Sequence, residues 1–297
     1  MCTRDDRFCL VRLGEVPWDM LPAGRQLGGA PANFAYHAAA LGGAGAVASC
    51  VGDDESGREI LRRLDELGVD RAAVAVDGRH PTGTVTVALD EAGRPHYTIH
   101  EPVAWDFIPF GPAQQALAGR ADAVCFGSLA QRSATSRGSI QKFLAAVRPG
   151  CLRVFDINLR QAFYDRAVIA AGLERADVAK LNDEELPTVA RLLALEGDEP
   201  AMLEALVRRY ALRLAVLTRG PAGSVMLTSN ERSNLGGEPV KVVDTVGAGD
   251  AFTAAVAIGL LEGAPLAALH RRAARLAAYV CTQHGAMPQV PKEICDS

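Results

Sequence analysis

Asp250 closes a glycine-rich run, Val243-Asp244-Thr245-Val246-Gly247-Ala248-Gly249-Asp250, that opens directly onto the apolar Ala251-Phe252 segment. A helix that begins in such a turn presents N–H groups with no helical carbonyl to bond and the positive end of its dipole. Glycines let that backbone approach a phosphate closely. Gly247, Ala248 and Gly249 therefore read as an anion cradle with a carboxylate at its edge, a candidate catalyst. The same carboxylate would serve as a helix N-cap, and the local sequence does not separate cap from base. Near the other end of the chain, Gly28-Gly29-Ala30-Pro31-Ala32-Asn33 joins two glycines to an amide that both donates and accepts, which suits a polyol. Taken alone, a glycine turn with a solvated Asn33 is the simpler account.

These residues need a frame, and the chain supplies an α/β one. Strand-like runs at Cys9 to Glu15, Ala46 to Val51, Ala123 to Gly127, Arg153 to Ile157, Asp177 to Leu181 and Leu214 to Thr218 alternate with helix-like segments. The helical segments include Ala32 to Leu41, Gly57 to Leu67, Ile140 to Val147, Met202 to Tyr210, Asp250 to Glu262 and Leu266 to Gln283. That alternation predicts a largely parallel sheet covered by helices. One stretch breaks it: Thr82 to Asp90 and His96 to Glu101 read as a β-hairpin, a small sheet projecting from the main one with a contribution from around Gly14 to Leu27. Gly43-Ala44-Gly45-Ala46-Val47-Ala48 fits a dinucleotide fingerprint formally, but it follows a helix and leads into a strand, the reverse of what that motif requires.

Composition narrows the partners. The 297 residues are 49% apolar, enough for a substantial core, and the net charge of −4 comes without a long Lys or Arg run, which argues against a nucleic-acid binder. Seven cysteines without a CxxC pair read as reduced and mostly buried. No apolar run reaches transmembrane length and the first residues lack a signal-peptide core, so no membrane is expected and the cytoplasm is the default compartment.

With both motifs present and in order, the chain resembles the PfkB family of carbohydrate kinases. The resemblance implies a ribokinase-like three-layer α/β fold, a single kinase domain over 1–297 with β-sheet lid segments at about 14–30 and 82–106. It further implies ATP as phosphoryl donor, a Gly247–Asp250 anion hole, and Asp250 as the base that deprotonates the accepting hydroxyl. Asn182-Asp183-Glu184-Glu185 resembles the family's Asn-x-x-Glu element, whose glutamate, here Glu185, helps to hold Mg²⁺ through water. Without the family, those residues are simply a capped helix start. Thr218-Arg219-Gly220-Pro221-Ala222-Gly223 resembles the turn that lies along the nucleotide, placing Asn182, Thr218, Gly220 and Gly223 there, with Ala278, Cys281 and Gly285 near the adenine. The loop beginning at Asp244 resembles a monovalent-cation loop, which implies K⁺.

Within the family, Gly14 to Asp19, His80 to Val85, Val103 to Asp106, Phe126 to Arg132 and Phe155 to Arg160 are similar to bacterial fructokinases. This implies fructose as substrate, bound by Asp19, Gly28, Gly29, Asn33, Arg132, Arg160 and Asp250. Read as bare residues, Asp19 is a turn residue and Arg132 and Arg160 are surface ion-pair candidates. A lid of this kind often pairs with another subunit's, so a homodimer is implied. The chain departs from ribokinases, which commonly have a lysine where Ala30 stands. 2-Keto-3-deoxygluconate or a nucleoside are the competing substrates. A sugar sensor without catalysis is the competing class, against which the intact Gly247–Asp250 turn argues. The polar stretch Leu227 to Glu238 is expected to shorten the strands beside the nucleotide.

Overall fold

The computed structural model describes residues 7–21, 24–89 and 95–295. Strands and helices follow in the order β1 (Cys9–Leu13), β2 (Trp18–Leu21), β3 (Gly24–Leu27), α1 (Ala30–Ala40), β4 (Ala44–Gly52), α2 (Glu55–Glu66), β5 (Asp70–Asp77), β6 (Thr84–Leu89) and β7 (Pro95–Ile99). The chain continues through α3 (Pro112–Arg120), β8 (Ala123–Phe126), α4 (Ala134–Ala146), β9 (Leu152–Asp156), α5 (Arg166–Arg175), β10 (Val178–Asn182), α6 (Glu185–Leu193) and α7 (Glu199–Tyr210). It ends with β11 (Leu214–Thr218), β12 (Ser224–Leu227), β13 (Arg232–Leu235), α8 (Ala248–Leu261), α9 (Leu266–Cys281) and α10 (Lys292–Cys295).

The described strands form two sheets. The larger has the order β13-β12-β11-β10-β9-β8-β1-β4-β5, parallel except for the antiparallel pairs β11–β12 and β12–β13. Its strands are covered on both faces, so their apolar residues alternate between two cores rather than between core and water. Val11, Leu13, Phe126, Phe155 and Leu181 pack toward helices α3 to α7, whereas Leu10, Cys125, Val154 and Val178 pack toward α1, α8 and α9. The three-layer expectation holds. α8 is apolar nearly all round because it lies between the sheet and α9, with buried residues from Ala251 to Gly259. At the start of β4, Gly45 lies against the backbone of Ala35, where any Cβ would collide. The glycine pair at 43 and 45 therefore serves helix–strand packing, not a dinucleotide.

The smaller sheet, β3-β2-β6-β7, joins the expected hairpin to the Gly14–Leu27 region. The hairpin's turn falls at 90–94, outside the described residues. Asp54 fastens the sheet's root: its carboxylate accepts from Thr82 N at 2.8 Å and Thr82 Oγ1 at 2.6 Å, while Thr82 Oγ1 accepts from Gly52 N at 2.9 Å. The polar stretch 227–238 forms part of a short antiparallel hairpin, β12–β13, at the sheet's edge. Helix α4 begins six residues before the expected Ile140, since Ser136 lies in its first turns and spans Trp105 O and Ile108 N. The described cysteines Cys9, Cys50, Cys125, Cys151 and Cys281 are unpaired, and all but Cys281 are buried. No helix among the described residues is long and apolar enough to cross a membrane.

Candidate active site

The carboxyl ends of β1, β8, β9, β10 and β11 meet the N-termini of α1 and α8, the usual place for a ligand in an open parallel sheet. Gly247 is the N-cap of α8, with φ 80°, and the helix proper starts at Ala248. Asp250 therefore sits inside the first turn and not at the cap. Its Oδ2 instead accepts Asn33 Nδ2 at 2.9 Å, which brings together two motifs 217 residues apart. Asn33 is 4% exposed, and its Oδ1 is buried without a partner, an acceptor ready for a hydroxyl donor.

The turn ahead of α8 is held from behind. Val243 N donates to Cys281 O at 2.8 Å, and Asp244 accepts from Val246 N at 3.0 Å and from Gly285 N at 3.1 Å. Ala286 then lies directly behind Gly247, where an added Cβ would come within 2.6 Å of it. From the other side, α1 grips the same loop: His37 Nε2 bonds Ala286 O and Tyr36 Oη donates to Pro288 O, both at 2.9 Å. Burial holds His37 down to about 4, so the ring is neutral and donates through Nε2.

Asp19 projects from β2 onto Gly28, where any side chain would collide with its carboxylate, and Gly29 lies equally close to the Glu15 carbonyl at φ 94°. The two glycines are thus required by close approach. Burial raises Asp19 to about 6 against the opposing charge of Arg160, which is itself exposed. Arg132 has a different setting. Its fork pairs with both Asp106 oxygens, at 2.7 and 2.8 Å, and its plane lies 3.8 Å from Trp105 and 4.6 Å from Phe163. It also donates to His100 O at 2.7 Å, so it ties the segment after β7 to the loop after β8.

Further along the same sheet edge, Asn182 and Thr218 are register partners at the ends of β10 and β11. Gly220 and Gly223 both have positive φ, and a Cβ at 223 would strike Leu235 O. Glu185 accepts from Asn182 N at 2.9 Å and Leu159 N at 2.8 Å, while Asn182 Oδ1 caps Glu185 N at 2.8 Å. This reciprocal pair is the capped helix start that the bare residues offer, and it leaves one further lone pair on each Glu185 oxygen.

Three charged residues were not singled out from the sequence. Arg12 and Asp156, each 1% exposed, pair at 3.1 Å, and Lys180 Nζ lies 3.0 Å from the other Asp156 oxygen. Each interrupts an apolar strand, at Val11-Arg12-Leu13, Phe155-Asp156-Ile157 and Ala179-Lys180-Leu181. That interruption is the signal that could have found them, because a charge in a doubly covered strand must be paired. Asp250 faces this group. Its carboxyl, only partly accessible, is pushed up by burial and by Asp156 and pulled down by Arg12, by the Asn33 hydrogen bond and by Lys180, with a net rise.

An open parallel sheet, unpaired N–H groups at a helix start and a carboxylate beside them suit phosphoryl transfer to a small hydroxyl-bearing molecule. A family model described as pfkB family carbohydrate kinase matches residues 23–293. A fructokinase of Salmonella typhimurium is 35% identical over 260 residues, 84% of this chain and 83% of the relative, and one of Escherichia coli is 32% identical over 94% and 95%. A Xylella fastidiosa fructokinase solved with ATP matches at TM-score 0.85 and 26% identity, covering 97% of each chain. A Vibrio cholerae O395 fructokinase solved with fructose, ADP and calcium matches at TM-score 0.79 and 28% identity, also over 97% of each. The chain belongs to the pfkB family of carbohydrate kinases and is an ATP-dependent carbohydrate kinase.

Proposed function

We propose that the protein phosphorylates fructose at the 6-hydroxyl, with Asp250 as general base. The observation that carries this reading is the Asn33–Asp250 hydrogen bond, which sets the polyol-binding motif against the base. Asn33 occupies Asp250 Oδ2 and leaves Oδ1 for the proton of the accepting hydroxyl, which attacks the γ-phosphorus as the bond to ADP breaks. The first-turn N–H groups of α8 receive the charge on the transferring group. Asp19 accepts from neighbouring sugar hydroxyls, and the charge of Arg160 favours its ionised form. A carboxylate substrate is disfavoured because Ala30 stands in place of a lysine and Arg132 is already neutralised by Asp106. The fructokinase relatives point the same way.

The cradle suits the phosphates of a nucleoside triphosphate, since α8 begins there with unpaired first-turn N–H groups and Gly247 and Gly249 let the turn pack closely on Ala286 and Lys180. Mg²⁺ supplies neutralisation of the phosphate oxygens, and the spare Glu185 lone pairs suit the water-mediated hold of a hard cation. Asp244 accepts from Val246 N on one oxygen and from Gly285 N on the other, which leaves one further lone pair on each for a monovalent cation, beside main-chain carbonyls of the two loops it ties. The lid sheet excludes water from the reacting hydroxyl.

A panel of fructose, ribose, adenosine and 2-keto-3-deoxygluconate with MgATP should give the highest kcat/KM for fructose. A higher value for the nucleoside or the keto acid would overturn the substrate assignment and leave the kinase assignment standing. Asp19 adds a pH signature. Sugar binds its ionised form, so the sugar KM should rise about tenfold per unit as pH falls below about 6, and Asp19→Asn should raise KM and abolish that dependence. A wild-type KM that stays flat from pH 7 to pH 5 would remove Asp19 from the sugar site.

A further inference from the structure

We infer that Arg12 and Lys180, joined through Asp156, are positioning residues for phosphoryl transfer that hold one net positive charge beneath Asp250 and the Gly247–Asp250 turn. The inference rests on Asp250 being the base. Strand alternation sends Leu10, Val154 and Val178 toward the α8 layer, so Arg12, Asp156 and Lys180, each two residues further along its strand, point to the same side. Register then makes them neighbours: Arg12 is opposite Cys125, on the strand between β1 and β9, and Asp156 is opposite Lys180. Arg12 Nη1 donates to Cys125 Sγ at 2.8 Å as well as to Asp156 Oδ2 at 3.1 Å, and its Nε is buried without a partner. Lys180 Nζ is 3.1 Å from the point where a Cβ of residue 249 would stand, so the ammonium lies directly under the cradle.

Within the Arg12–Asp156–Lys180 triad two cations and one anion leave one positive charge facing the Asp250 carboxylate, with Glu15 facing Arg12 and Asp250, and Glu185 facing Lys180, at the triad's margin. When the hydroxyl gives its proton to Asp250, the O–P bond forms and the pair of the breaking P–O bond leaves on ADP. The base is then neutral, and the positive charge beneath it faces the transferring phosphoryl group. A fixed charge that is already in place needs no reorganisation at that moment. The groups facing Asp250 are Arg12 and Glu15 from β1 and the loop after it, Cys125 from β8, Asp156 from β9, Lys180 from β10, and Asn33 as donor from α1. Cys125 is pushed up to about 12 by burial and stays neutral, and burial also raises Glu15.

The test is the pH profile of kcat at saturating fructose and MgATP, in which the sugar already occupies Asp19 and the acid limb reports the complex. Lys180→Met removes the net charge and should move the acid limb up by about one pH unit, with kcat on the plateau down about tenfold and the sugar KM little changed. Asp156→Asn adds net charge and should move the limb down. Lys180→Met combined with Asp156→Asn leaves Arg12 as the single cation and should return the limb to near its wild-type position, as should Lys180→Arg. A purely structural network would give no opposite-signed shifts and no recovery in the double variant. A wild-type limb in both single variants, or a double variant displaced like Lys180→Met, would overturn the inference. If Lys180→Met fails to fold, the downward shift in Asp156→Asn decides. Asp250→Asn separates the two readings: full activity there defeats the base itself, whereas a slow Asp250→Asn with unmoved limbs defeats only the charge network.

Discussion

Asp250→Asn is expected to lower kcat by about 10² or more while the KM values for sugar and MgATP stay within about twofold of wild type. A sugar hydroxyl is a poor nucleophile at neutral pH, and the loss corresponds to about 2.7 kcal/mol of transition-state stabilisation. Asparagine keeps the size of the side chain, and its carbonyl oxygen can still accept from Asn33 Nδ2. The other position then carries an NH₂ group, which cannot take the proton. The cradle N–H groups, Lys180 and Asn33 all remain, so binding and part of the charge stabilisation survive. A purely local helix role predicts almost no change, because the N-cap of α8 is Gly247 and no side chain caps it. Steady-state kinetics with a parallel melting curve would check this: a near-wild-type kcat with an unchanged melt would defeat the mechanism.

Gly247→Ala is expected to do comparable damage by another route. Position 247 has φ 80° and ψ −13°, a left-handed conformation that costs a non-glycine residue about 1 kcal/mol, and its Cβ would come within 2.6 Å of Ala286. Ala286 has little room to retreat, since His37 holds its carbonyl. The turn must therefore shift, and the N–H groups of the cradle shift with it. A kcat loss of about 10² is expected, the scale seen when oriented donors leave a developing charge. Gly263→Ala provides the control, because Gly263 follows α8 with φ 70° and open space around it. It should lose about 1 kcal/mol of stability and keep its kcat. Equal kcat losses in the two variants would mean that global destabilisation, not the cradle, is responsible.

Alternating apolar runs and helical segments predicted the layered α/β frame, and the hairpin at Thr82 to Glu101 declared itself because it breaks that alternation. The glycine-rich turn before Asp250 was legible as well, since backbone freedom and a helix start are local properties. Long-range facts were not local and were not legible. That Asp250 is not the cap of α8, and that it bonds Asn33 217 residues away, depended on where α8 begins and on how the chain folds back. Arg132 carried the same letter whether it reached a sugar or, as folded, locked onto Asp106 between two aromatic rings. Arg12, Asp156 and Lys180 looked like three unrelated blemishes in apolar strands. Their meaning lies in sheet order and register, which place β10 beside β9 and Lys180 opposite Asp156. Burial then forces such charges to find one another, because the folded interior leaves them no water to pair with instead.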